Sequence, residues 1–219
     1  MIRHLILDFD GTLGDTTMLI LATMSETFRR LGLPQVSVEK CKASIGLRPY
    51  DTPAFLFPDR KDLDADEFVR VWRKVQVELR TKVSVKLYPG VLSTLDLLKE
   101  RGIDMAVASS RSGESLNGYL DSLGLTPYMS TVVSADDVEY GKPYPDAALK
   151  VMDRLGWQPS ESMTVGDASV DIEMGHAAGT HTCAVTYGNG TLADLQNSSP
   201  DAIIDSFPRL ADVLSNPSF

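Results

Sequence analysis

The apolar residues divide the chain into a strand-forming start, a helical stretch and a long region where helices and strands alternate. The apolar run before Asp8 predicts a buried strand over Arg3–Leu7. From residue 16 to residue 82, apolar residues recur at helical spacing, and no stretch reads as a strand. The predicted helices in this stretch are Thr16–Leu31, Val38–Ser44 and Ala65–Lys82.

Beyond residue 85, amphipathic helices alternate with short apolar strands, a pattern typical of a parallel sheet covered on both faces. The predicted helices are Val91–Arg101, Glu114–Leu123, Pro145–Leu155, Asp171–Ala178 and Pro208–Leu214. The predicted strands are Ile103–Ala108, Thr131–Ser134, Ser162–Val165, Thr182–Val185 and Ala202–Ile204. We therefore expect an α/β fold, with a doubly wound, Rossmann-like core of residues 1–15 and 88–219. Residues 16–87 form an all-helical insertion.

Composition narrows the classes of partner. The chain has 219 residues, a net charge of −9 and a pI near 4.8, which argues against nucleic acid or an anionic membrane as the main partner. Its only two cysteines, Cys41 and Cys183, fit a reducing compartment. No stretch reads as a signal peptide or a membrane span. We expect a soluble cytoplasmic protein that is a monomer or a weak dimer.

Two carboxylates follow the first strand directly. Asp8 and Asp10 stand one residue apart, and alternate residues of an extended backbone face the same way. Their repulsion costs free energy unless a cation lies nearby or one carboxyl holds a proton. Both remedies suit an enzyme, because one carboxylate can be a nucleophile or metal ligand and the other a general acid and base.

Other strand ends also carry polar residues, and ligands of open α/β sheets bind at those ends. Ser109, Ser110 and Arg111 follow the second core strand, ahead of a helix, in a setting that suits an oxyanion. Asp167 follows the strand predicted to begin at Ser162, and Asp171 stands four residues later at a predicted helix start. We expect these groups to meet Asp8 and Asp10 at one edge of the sheet.

Four segments in order resemble the motifs of the haloacid dehalogenase superfamily. The segment Asp8-Phe9-Asp10-Gly11-Thr12 is similar to the first motif in the form its phosphatases use, and Gly141-Lys142-Pro143 closely matches the third. The segments at Ser109 and Asp167 correspond to the second and fourth. The branch it resembles contains phosphoglycolate phosphatase and β-phosphoglucomutase, in which the helical insertion is a cap over the active site. The segment 186–190 also resembles the phosphoglycolate phosphatase branch.

The resemblance implies a role for each matching residue. Asp8 would attack phosphorus to form an aspartyl-phosphate, and Asp10 would protonate the leaving oxygen and then activate water. Ser109 would bind the phosphoryl group, with Ser110 and Arg111 as further substrate-binding candidates. Lys142 would contact both the phosphate and Asp8.

A magnesium site is expected among the same groups. Mg²⁺ prefers oxygen ligands. Asp8, Asp167 and the backbone carbonyl of Asp10 would bind the ion. Asp171 would support these ligands without binding the ion itself. Outside the motifs, Arg48 lies in the turn 45–49 of the cap and offers a planar fork suited to a carboxylate or a second phosphate on the substrate.

The leading functional hypothesis is therefore a Mg²⁺-dependent phosphomonoester hydrolase for a small soluble phosphorylated metabolite, with phosphoglycolate as one candidate. A sugar-phosphate mutase or an inorganic pyrophosphatase shares all four motifs and stays open. Asp10 argues against a dehalogenase, which needs no leaving-group acid. Outside this class, a phospho-receiver domain also surrounds an aspartyl-phosphate with acids, a hydroxyl and a lysine, but it lacks a helical insertion. An inactive binding protein is a further alternative.

Overall fold

A computed structural model describes residues 1–216 of the chain. The strands are β1 (His4–Leu7), β2 (Gly14–Asp15), β3 (Lys86–Leu87), β4 (Asp104–Ala108), β5 (Met129–Val133), β6 (Ser162–Gly166), β7 (His181–Val185) and β8 (Ala202–Ile204). The helices are α1 (Thr17–Arg30), α2 (Val38–Ala43), α3 (Thr52–Leu56), α4 (Ala65–Arg80), α5 (Val91–Glu100), α6 (Gly113–Ser122), α7 (Asp146–Leu155), α8 (Ser169–Ala177), α9 (Leu192–Asn197) and α10 (Leu210–Val213). Among these, no helix is both long and apolar enough to cross a membrane.

Six parallel strands form the central sheet in the order β5-β4-β1-β6-β7-β8. β1 is buried at the centre, with His4 paired to Asp104 on one side and to Ser162 on the other. The chain winds outward from β1 in one direction and then, from β6, in the other. The strand order thus reverses between β1 and β6, where doubly wound folds bind their ligands.

The predicted fold class is confirmed, and every predicted element is present with bounds within two residues of the expected ones. The prediction missed two short helices, α3 and α9. It also missed a small antiparallel ribbon in which Gly14 of β2 pairs with Leu87 of β3.

The insertion has a core of its own. Helices α1 and α4 pack against each other, and Phe28, Phe68 and Trp72 are almost fully buried between the insertion's helices. The larger cluster under the sheet contains residues of β1, β4, β6 and β7. The β2–β3 ribbon lies where the chain leaves and re-enters the α/β core, next to the boundaries predicted at 15/16 and 87/88. Those domain boundaries stay a prediction.

Candidate active site

The polar residues predicted at the strand ends meet at the reversal point of the sheet. Asp8 follows β1 directly, Asp167 follows β6 and Ser109 follows β4. The backbone N–H of Asp8 donates to the carbonyl of Val165, so the ladder between β1 and β6 extends to the catalytic candidate itself. Because parallel strands end at the same edge, this register fixes Asp8 beside Asp167.

Lys142 lies at the centre of a buried charge cluster. Its Nζ donates to Oδ1 of Asp8 at 2.5 Å and to Oδ1 of Asp171 at 2.6 Å. Burial alone would lower the pKa of Lys142, but the charges of Asp171 and Asp8 outweigh it and raise that pKa. The ammonium is therefore held in its charged form, and the predicted contact between Lys142 and Asp8 is present.

Asp167 is fixed by three hydrogen-bond donors. Thr12 Oγ1 donates to Oδ1 at 3.2 Å, while the backbone N–H and Nδ2 of Asn189 donate to Oδ2 at 2.7 and 3.1 Å. Burial and the nearby charge of Asp171 raise the pKa of Asp167 to about 7, although the donors from Asn189 and Thr12 oppose that rise. These donors orient the carboxylate before any ligand binds.

The acids are suited to a cation. Oxygens of Asp8, Asp167 and Asp171 lie within 4.8 Å of one another, and all three residues are buried. Burial raises the pKa of Asp8 well above its usual value, Lys142 opposes the rise, and the charges of Asp171 and Asp167 add to it. Among these three buried carboxylates, Lys142 pairs with Asp8 and Asp171 and leaves Asp167 without a cation within residues 1–216, and this excess of negative charge favours binding of a hard divalent cation.

Asp171 lies close enough to Asp8 and Asp167 to share a metal ion with them, but both of its carboxylate oxygens already accept hydrogen bonds. One accepts from Lys142, and Oδ2 accepts from the backbone N–H of Ala168 at 3.0 Å. These bonds fit the supporting role predicted for Asp171. The predicted contributions of the Asp10 carbonyl and of Asp171 to a metal site stay predictions.

Asp10 has partners that the sequence did not indicate. Arg111 Nε donates to both carboxylate oxygens, at 2.9 and 2.7 Å, and Nη2 donates to Oδ1 at 2.6 Å. Thr16, just before α1, donates its hydroxyl to the same Oδ1 at 2.6 Å. The guanidinium carbon also lies 4.9 Å from the ring centroid of Tyr119, so Arg111 is held on an aromatic face. Each carboxylate of the first motif is thus paired with its own cation, Asp8 with Lys142 and Asp10 with Arg111.

The serines after β4 have different contacts. Ser109 is buried, and its Oγ accepts from the backbone N–H of Arg111 at 3.2 Å, which fixes the loop at the strand end. Ser110 Oγ donates to the carbonyl of Gly46 at 2.6 Å, so it links the core to the insertion. Substrate binding by Ser109, Ser110 and Arg111 stays a prediction.

A cavity of about 350 Å³ lies between the core and the insertion. Asp8 and Asp10 line one side, and Ile45, Leu47 and Trp72 of the insertion line the other. Arg48 also lines it, but its guanidinium pairs with Asp51 at 2.8 Å and donates to the carbonyl of Glu139 at 2.8 Å. Its predicted contact with substrate stays a prediction.

Asn189 connects the acidic cluster to the insertion, and this role was not predicted from the sequence. Besides its bonds to Asp167, its Oδ1 accepts from Thr17, the first residue of α1, at 2.8 Å. Glycines flank Asn189, and a Cβ on Gly188 or Gly190 would collide with Asp167. An amide between two glycines just after a strand was the available signal.

Comparison with known proteins decides the family. The model of the haloacid dehalogenase-like hydrolases matches residues 5–185. The chain belongs to the haloacid dehalogenase-like hydrolase family. The matched segment contains Asp8, Asp10, Ser109, Lys142 and Asp167. The resemblance inferred from the motifs is confirmed, and so is the expected enzyme class, a hydrolase of the phosphatase type.

Several haloacid dehalogenase-like relatives resemble this chain over nearly its whole length. It is 33% identical to a phosphoglycolate phosphatase of Aquifex aeolicus, covering 92% of this chain and 95% of the relative. It is 29% identical to the pyrophosphatase PpaX of Oceanobacillus iheyensis, covering 98% of both. The crystal structure of CbbY from Rhodobacter sphaeroides in complex with phosphate superposes with a TM-score of 0.81 over 96% of both chains, at 21% identity, which shows the fold alone.

Proposed function

We propose that this protein is a Mg²⁺-dependent phosphomonoester hydrolase that works through an aspartyl-phosphate on Asp8. The observation that carries the proposal is the cluster of Asp8, Lys142, Asp167 and Asp171 at the reversal point of the sheet. Lys142 binds Oδ1 of Asp8, which leaves Oδ2 to attack phosphorus. A resident Mg²⁺, bound through Asp8, Asp167 and the Asp10 carbonyl, would neutralise charge on the phosphoryl oxygens.

The reaction then needs two half-reactions. Asp8 forms a bond to phosphorus while the bond to the leaving oxygen breaks, and Asp10 gives that oxygen its proton. Water next attacks the aspartyl-phosphate, Asp10 takes the proton of that water, and inorganic phosphate leaves as Asp8 is regenerated. Lys142 remains beside the carboxylate in both steps and offsets the negative charge that collects there.

The substrate class is part of the proposal. A small soluble phosphorylated metabolite fits a cavity of this size. We further propose that the protein acts in the cytoplasm as a monomer or weak dimer, with neither nucleic acid nor membrane as a partner. The Aquifex relative makes phosphoglycolate one compound to test, and the Oceanobacillus relative makes pyrophosphate another.

Phosphate release from p-nitrophenyl phosphate tests the proposal. We expect turnover with Mg²⁺ and little without it. Asp8→Asn should abolish turnover, while its melting temperature holds or rises, because one of the crowded carboxylates is gone. An Asp8→Asn protein that keeps more than about a hundredth of the wild-type activity would rule out covalent catalysis by Asp8.

A further inference from the structure

The cavity is larger than the transferred group requires. Its volume of about 350 Å³ lies within the range of roughly 300 to 1,000 Å³ that is usual for pockets binding whole small molecules. A phosphoryl group of one phosphorus and three oxygens, placed beside Asp8, fills only part of that space. The remainder extends beneath the cap, the helical insertion that covers the site, and it is available to the leaving group.

The far wall of this cavity is mainly apolar. Met24 of α1, Ile45 and Leu47 of the turn, and Val69 and Trp72 of α4 all line it. Trp72 and Met24 are almost fully buried, so the wall is built into the cap's own core. Apolar surface of this kind favours a leaving group with apolar surface of its own, because burying both removes them from water.

The cations that line the cavity already face carboxylates. Within residues 1–216 they are Arg48, Arg73 and Arg111. Arg48 pairs with Asp51 at 2.8 Å, Arg73 Nη2 lies 3.7 Å from Asp136, and Arg111 pairs with Asp10 at 2.6 Å. A second anionic group on the substrate would have to disrupt the buried Arg111–Asp10 pair or the partly buried Arg48–Asp51 pair, which is unfavourable. The Arg73–Asp136 pair is exposed and weak, so Arg73 offers such a group little stabilisation.

We propose that the leaving alcohol of the true substrate is uncharged and carries an apolar or planar portion that packs on Leu47, Val69 and Trp72. This inference rests on the proposed hydrolytic function and narrows its substrate. Gln76, which also lines the cavity, offers an uncharged amide for a polar group on the same alcohol. Phosphoglycolate and pyrophosphate, whose leaving groups are small and anionic, fit this wall poorly.

A matched pair of esters isolates the charge of the leaving group. The para-carbamoylphenyl and para-carboxyphenyl phosphates have nearly the same shape, but only the second carries a carboxylate away from the phosphate. We expect kcat/KM for the carbamoyl ester to be at least about tenfold higher, with phosphoglycolate and pyrophosphate turned over more slowly still. Equal or faster turnover of the carboxyl ester, phosphoglycolate or pyrophosphate would overturn the inference.

A substitution in the apolar wall of the cavity tests whether this wall discriminates between the two esters. Leu47→Lys places a cation against the leaving group, so the ratio between the two esters should shrink or reverse. The control is Val38→Lys, which makes the same charge change at an exposed cap position outside the cavity and should leave the ratio unchanged. A ratio that stays the same in folded Leu47→Lys, or moves equally in both variants, would contradict the assignment.

Different results would contradict the proposed function and the assignment of the leaving group. If wild type turns over no ester, or if Asp8→Asn turns them over equally well, the proposed function is wrong and the inference falls with it. If turnover depends on Asp8 but favours anionic leaving groups, only the inference is wrong.

Discussion

Asp10 has a buried guanidinium on both of its carboxylate oxygens and a threonine hydroxyl on one of them. Such a carboxylate is well oriented, but a general acid must also carry a proton to the leaving oxygen. In the proposed mechanism, Asp10 therefore has to exchange part of its contact with Arg111 for a contact with the substrate. Thr16, which donates to Asp10, immediately precedes α1, so Asp10 is hydrogen-bonded to the residue at which the cap begins.

Replacing Asp10 by Asn should slow both half-reactions, by roughly 10² to 10⁴ in rate, because the same group gives and then takes a proton. With p-nitrophenyl phosphate, whose leaving group needs little protonation, hydrolysis of the phosphoenzyme should suffer more than its formation. Rapid-quench measurements should then show phosphoenzyme accumulating. Equal losses on activated and unactivated esters, with no phosphoenzyme, would count against the acid–base role.

Asn189 should control metal affinity without touching the substrate. Asn189→Ala removes the amide donor to Asp167, and loss of such a supporting contact typically weakens metal binding about 10- to 100-fold. Calorimetric titration of the substrate-free protein with Mg²⁺ measures this directly. Thr17→Val is the matched control, because it removes the other bond of Asn189 and leaves Asp167 untouched. Unchanged Mg²⁺ affinity in Asn189→Ala would show that the backbone donor alone is sufficient.

The turn 45–49 joins the cap to the core. Ser110 binds the carbonyl of Gly46, and Arg48 binds the carbonyl of Glu139. Gly46 has a φ of +110°, and a Cβ there would lie 3.1 Å from the Val170 side chain, so the turn closely approaches the first turn of α8. These contacts make Arg48 part of the closed interface between cap and core.

Arg48→Ala should therefore lower kcat/KM by a similar factor for p-nitrophenyl phosphate and phosphoglycolate, at a cost of about 1 kcal/mol for the lost hydrogen bond. Arg60→Ala is a matched control, since Arg60 also pairs with a nearby aspartate but lies on the exposed surface of the cap. A loss confined to phosphoglycolate would instead support the original prediction that Arg48 reads an anion on the substrate.

From the sequence, the long helices and strands and the polar residues at the strand ends could be predicted. The short helices, and the hydrogen bonds between side chains far apart in the sequence, could not. Asp8, Ser109 and Asp167 could be placed together because parallel strands end at one edge. The position of Lys142 beside Asp8 was predicted only from the resemblance to the third motif. Helix α3 has five residues and begins with Thr52-Pro53, so it shows no periodic pattern. The pairing of Arg111 with Asp10, and of Asn189 with Asp167, joins residues about 100 and 22 positions apart, and no local pattern encodes it.

For the molecule as a whole, a net charge of −9 opposes binding of a phosphate ester. The active site would reduce this conflict locally, because Lys142 and a divalent cation bound by the buried acids would together offset the charge of those acids where the phosphoryl group binds. Elsewhere in the cavity the arginines are balanced by carboxylates. Charge thus favours one phosphoryl group at Asp8 and disfavours a second anionic group beneath the cap.

Mass spectrometry of acid-quenched enzyme tests the central claim most directly. Asp10→Asn protein, mixed with Mg²⁺ and p-nitrophenyl phosphate, should yield a peptide carrying one phosphoryl group on Asp8. The adduct should disappear after treatment with neutral hydroxylamine, and it should be absent from the Asp8→Asn protein. Steady phosphate release by wild type with no adduct on Asp8 in either protein, or an adduct on another residue, would contradict the account.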